Sequence, residues 1–184
     1  GQTCTVRNGR GTVSASVNNV EVVCRTDMYA VGGRIEGLAG RLVLGTADGR
    51  TLSLAADGPF AFEYAHGQAY EVQLREVPAG QICVLTNPTG TALGTVDNMV
   101  LSCSVWQVRL SGEASGITGP VTLRNGSTDT VVVTANGRFT FAALLNHGST
   151  YDVTVAAAPA GQSCTVTGGR GTISMVGTAL TLTC

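Results

Sequence analysis

The stretch GQICVLTNPTGTALGTVDNMVLSC, residues 80–103, occurs three times in this chain. It returns as GQSCTVTGGRGTISMVGTALTLTC at 161–184, and the chain opens on a further version, GQTCTVRNGRGTVSASVNNVEVVC, at 1–24. Each version carries two cysteines 20 positions apart: Cys4 and Cys24, Cys83 and Cys103, Cys164 and Cys184. The text before the second and third versions also repeats. GLAG (37–40) answers GITG (116–119), DGPFAF (57–62) answers NGRFTF (136–141), and HGQAYEVQL (66–74) answers HGSTYDVTV (147–155). A period of about 80 residues therefore organises the chain, and such self-similarity outranks any local reading. The expected domains are the last third of one repeat (1–24), a complete repeat (25–103) and a second complete repeat (104–184).

Within a repeat the signal is all-β. YEVQL and YDVTV alternate large apolar with polar residues, the two-residue period of a half-buried strand. RLVLGT, TLSLAA and PFAFE behave alike, as do PVTLRN, TVVVTA and RFTFAA, and turn texts such as ADGR, ADGP, RNGS and ANGR separate them. About seven short strands in some eighty residues is the signature of a β-sandwich. The expected fold is a tandem series of Ig-like or transthyretin-like sandwiches with one disulfide each. A 24-residue fragment buries no core of its own. Residues 1–24 are thus expected either to belong to a longer array or to complete a domain in a neighbouring molecule by strand addition. The first expectation ranks ahead.

Composition narrows the function classes. Charged residues make up 12% and the net charge is −1, so no nucleic acid and no anionic membrane is expected as partner. Low charge gives little repulsion between copies, which favours assembly. All 11 basic residues are Arg, which removes Schiff-base chemistry and any Lys–Asn isopeptide bond. No stretch is long and apolar enough to span a bilayer as a helix, and no signal segment is visible.

The pattern G-x-F-x-F, G-x-x-Y-x-V, P-x-G-x-x-C resembles bacterial surface repeats of Ig-like or transthyretin-like fold. Carboxypeptidase-regulatory-like and collagen-adhesin B-type modules look similar in kind. The residues that carry the likeness are Gly58, Phe60, Phe62, Gly67, Tyr70, Val72, Pro78, Gly80 and Cys83. Their counterparts are Gly137, Phe139, Phe141, Gly148, Tyr151, Val153, Pro159, Gly161 and Cys164. The resemblance implies a spacer, stalk or adhesive role on secreted or surface proteins, without catalytic residues. The missing Lys departs from the isopeptide-bonded members.

The candidate chemistry is sparse. The cysteine spacing suits neither zinc, which prefers two to four intervening residues, nor a catalytic thiol, so disulfides are expected, as Cys4–Cys24, Cys83–Cys103 and Cys164–Cys184 ahead of bridges between repeats or chains. Three bridges indicate an oxidising compartment, hence a secreted or cell-surface protein. His66 and His147 share one repeat position before a Gly and read as turn residues, with no partners for a catalytic triad. Acidic residues such as Asp48, Asp57, Asp97 and Asp129 sit in turn texts, so no metal and no cofactor is expected. Arg10 and Arg170, in NGRGT and GGRGT, are candidate loop-tip contacts, and Tyr29 and Trp106 are candidate contacts between repeats. The leading expectation is a non-enzymatic extracellular stalk or fibre whose partners are its own copies or flanking repeats. The alternatives are an adhesin that binds glycan or host protein through loops, and accessory domains of a larger secreted enzyme.

Overall fold

The computed structural model describes residues 1–127 and 129–184. The chain is all-β, with no helix among the described residues. It divides into two compact units, residues 1–79 with 83–104, and residues 80–82 with 105–184.

The first unit starts with a two-stranded antiparallel ribbon, β1 (Gln2–Arg7) and β2 (Glu21–Thr26). Eight further strands follow: β3 (Met28–Glu36), β4 (Leu42–Thr46), β5 (Thr51–Leu54), β6 (Gly58–Ala65), β7 (Ala69–Glu76), β8 (Gln81–Thr86), β9 (Thr89–Thr91) and β10 (Val96–Val105). They form two four-stranded sheets, ordered β6-β3-β10-β8 and β5-β4-β7-β9. One apolar core lies between them. Val31, Ile35, Phe60, Phe62, Tyr64, Met99 and Leu101 come from the first sheet, and Leu42, Leu44 and Val72 from the second. Alternation explains the assignment: in β6, Phe60, Phe62 and Tyr64 are buried while Pro59, Ala61 and Glu63 are exposed. The strand β4 departs from that pattern and is buried on both faces. Its outer side is covered in part by the Arg75 stem, which packs over Gly45.

The second unit repeats the plan. Its strands are β11 (Gln107–Val108), β12 (Ser111–Ser115), β13 (Val121–Asn125), β14 (Asp129–Val133), β15 (Gly137–Thr140), β16 (Leu145–Asn146), β17 (Thr150–Ala157), β18 (Thr165–Thr167), β19 (Arg170–Thr172) and β20 (Leu180–Thr183). The sheets run β15-β12-β20-β18 and β14-β13-β17-β19, with β11 and β16 as a short extra ladder. Leu110, Leu123, Phe139, Phe141, Ile173, Leu180 and Leu182 lead its core.

Among the described residues each sandwich has eight strands in its two main sheets, one more than the turn spacing suggests. The additional strand arises because the stretch between the two cysteines crosses over: β9 pairs with β7, and β19 with β17, each through three residues. The first strand of each sandwich lies beside its last, in parallel: β3 on β10 and β12 on β20. An Ig constant sandwich instead keeps its first, second, fourth and fifth strands in one sheet, so the observed order departs from the Ig alternative. The parallel contact is tight. Gly33 stands opposite Met99, and Gly112 opposite Leu180. A β-carbon at either glycine would lie 1.8 Å from the Met99 carbonyl oxygen or 2.3 Å from that of Leu180. Glycine at this position is what lets the closing strand dock.

The turns are fixed by side chains that imitate backbone. The Asp57 carboxylate accepts the Gly37 and Leu38 amides at 2.9 and 2.7 Å. In the second unit the Asn136 side-chain carbonyl accepts the Ile117 amide at 2.9 Å.

Candidate interaction surface

All six cysteines are paired, as Cys4–Cys24, Cys83–Cys103 and Cys164–Cys184. Three disulfides in 184 residues suit an oxidising compartment. Cys4 and Cys24 stand directly opposite in the β1–β2 register, so the bridge staples the ribbon across its strands.

The ribbon is built like the corresponding hairpin of a complete repeat. Asn8 adopts φ 55° and Asn87, its counterpart, φ 54°. The Asn8 amide donates to the Asn19 carbonyl at 2.9 Å, and Asn87 donates to Asn98 at 2.9 Å. What differs is the cover. Val13, Val20 and Val22 are 80%, 52% and 62% exposed. Their counterparts Ala92, Met99 and Leu101 are each 0% exposed, and Ile173, Leu180 and Leu182 no more than 2%. Residues 10–12, which match β9 and β19, form no strand. A hollow of about 590 Å³ opens in the loop between the two strands, lined in part by Arg10, Val13, Val17 and Val20. Exposed apolar side chains grouped in this way mark an interaction surface.

A short hydrogen-bonded chain ties the ribbon to the rest of its unit. The Gly1 carbonyl accepts the Asp27 amide at 3.1 Å, and the Asp27 carbonyl accepts the His66 amide at 2.8 Å. The Thr3 hydroxyl donates to the Asp27 carboxylate at 2.7 Å and holds that carboxyl below its ordinary range. The second unit contains the same arrangement. The Gly80 carbonyl accepts the Trp106 amide at 2.8 Å, and the Trp106 carbonyl accepts the His147 amide at 2.8 Å. In both places the histidine ring packs on the glycine: a β-carbon would lie 2.5 Å from His66 at Gly1 and 2.2 Å from His147 at Gly80. The histidines, expected as plain turn residues, thus form one half of a recurring latch. The signal was the joint recurrence of Gly-Gln and His-Gly at fixed repeat positions.

Of the four candidate contact residues, Arg10 and Tyr29 belong to the first unit and Trp106 and Arg170 to the second. Tyr29 is half-buried, with its ring edge-on to His66 at 5.9 Å. Trp106 is half-buried against the second core. Arg10 is exposed in the ribbon loop. Arg170 is exposed on β19, where its Nε donates to the Asp152 carboxylate at 2.9 Å. Asn125, Tyr151, Asp152 and Arg170 line an open hollow of about 520 Å³.

A charge network in the first unit escapes a sequence reading. Arg50 and the Thr46 hydroxyl both hydrogen-bond Asp48, which holds its carboxyl down to about 2. The Arg50 guanidinium stacks 4.3 Å above the Tyr64 ring and donates to the Glu63 carbonyl at 2.6 Å. Burial raises the Tyr64 phenol above its ordinary value. This network staples the β4–β5 turn to β6. Among the described residues, no group of three or more His, Cys, Asp or Glu is placed to hold a metal ion. Among the described residues, no helix is long and apolar enough to cross a membrane. Comparison with family models and with curated proteins finds no match.

Proposed function

We propose that this protein is a non-catalytic, extracellular structural repeat protein that builds a stalk or fibre at a bacterial surface. The observation that carries the reading is repetition. Two sandwiches of one design stand in tandem, each with its own core and a disulfide across its closing hairpin. Repeats of this kind supply length and durability rather than a reaction centre. The bridges suit an environment outside the cell, where reduction does not reopen them. The partners are flanking repeats or other copies of the chain.

Electron microscopy of the native material under non-reducing conditions tests this. Rods or filaments with an axial repeat of a few sandwich lengths are expected. Isolated compact particles, or turnover of a substrate by residues 1–184, would overturn the proposal. A second reading, an adhesin, draws on the Arg170 hollow. There the repeats differ, since Thr89 occupies the place of Arg170. Binding of an acidic glycan by the wild-type chain, lost in Arg170→Ala, would favour it.

A further inference from the structure

We infer that residues 1–26 are the preformed closing hairpin of a further sandwich, and that the free edge of β2 receives a parallel strand of the β3 type. That strand comes from polypeptide outside residues 1–184. The inference deepens the tandem reading above and names the surface through which an array continues.

Three observations define the occupant. The first is the core deficit: Val13, Val20 and Val22 are exposed where both complete repeats bury the matching residues under their own β3–β7 or β12–β17 strands. The second is the edge. The strand β10 pairs with β3, and β20 with β12, while among the described residues β2 pairs only with β1. The third is Gln2. Its counterpart Gln162 donates to the Gly116 carbonyl and accepts from the Thr118 amide and hydroxyl. Gln2 is exposed and presents the same side chain to a turn of the GLAG or GITG type. Register follows from the complete copies. Val20 takes the place of Met99 and Leu180 and faces a glycine, as those residues face Gly33 and Gly112. Glu21 then faces the position of Arg34 in a β3-type strand, or of Glu113 in a β12-type strand. Opposite charges across a ladder attract and like charges repel, so the β3 type is preferred. A second copy of residues 1–184 is not the occupant, because its two strand sets are already closed by their own hairpins.

The test joins an additional copy of residues 25–79 directly before Gly1 of the full chain and follows amide hydrogen exchange. Exchange in residues 20–24 is expected to slow by about a hundredfold or more, towards the rate of residues 99–103. Val22→Asp in the extended chain should abolish that gain and leave residues 99–103 protected. A copy of residues 104–160 in the same place should protect less, by about twofold or more, because Glu113 then opposes Glu21. Unchanged exchange in the extended chain would overturn the inference. So would protection of β2 in the unextended chain that rises with concentration, since a second copy would then be the cover. Failure here leaves the stalk reading standing on the two complete repeats. Compact particles in the microscope, with β2 protected in the extended chain, would sink the stalk reading and keep this one.

Discussion

Single residues in this chain act by shape more than by chemistry. Gly80 combines φ +76° with a histidine ring where its β-carbon would stand. The contact is at the root of the ring, at Nδ1 and Cγ, so the side chain cannot simply swing aside. Gly80→Ala is expected to destabilise the second unit by about 2 kcal/mol, the cost of a left-handed alanine plus the clash. Urea unfolding followed by Trp106 fluorescence measures it, and a change below half that value would mean the latch is slack. Asp48 makes the clearest pH statement. Its folded value, about 2, lies below the ordinary 3.8, so its contribution is present above pH 4 and fades as pH falls towards 2. The wild type should therefore exceed Asp48→Asn in stability at neutral pH, and the two should converge near pH 2. Parallel unfolding curves at every pH would show that Arg50 and Thr46 do not depend on the carboxylate charge.

At the level of elements, the closing hairpins carry the staples. Replacing Cys164 and Cys184 together by Ala should cost the second unit about 3 kcal/mol, the loop-closure value for a bridge of this span. Replacing Cys4 and Cys24 should leave both sandwiches within about 0.5 kcal/mol, because the ribbon has no core in residues 1–184. Thermal unfolding of the two double variants separates these outcomes. Much of this level was legible in the sequence. The alternation in PFAFE and YDVTV placed β6 and β17, and the recurring cysteine pairs marked the hairpins. Less legible was anything that depends on register between distant strands. No local pattern says that Gly33 will face Met99, that the three residues of β9 will cross to the opposite sheet, or that Arg170 will meet Asp152 on β17. The double-sided burial of β4 escaped for a related reason: its outer cover is the stem of Arg75, an apolar role for a charged residue. Of the surface, the unpartnered character of residues 1–24 was visible from the repeat alone. The latch through His66 and His147 was not, because a histidine before glycine reads as an ordinary turn.

For the whole molecule, the two cores are separate sets of residues with no member in common. Phe141 is 0% exposed in the second core. Phe141→Ala should cost that unit about 3–5 kcal/mol and leave the unfolding of the first unit in place, with Trp106 reporting the second unit alone. A single merged transition in both proteins would show that the cores unfold together. The parallel contact of first and last strands has a mechanical consequence. When the chain is drawn taut, tension enters the second sandwich through β12 and leaves through β20, strands that lie side by side and point the same way. The pull then runs along their shared ladder, from Gly112 opposite Leu180 to Ser115 opposite Thr183, and loads it in shear. Hydrogen bonds in shear must break together, whereas those of a peeled hairpin break in succession. A sandwich closed in this way resists being pulled apart through its first and last strands more strongly than a hairpin resists peeling.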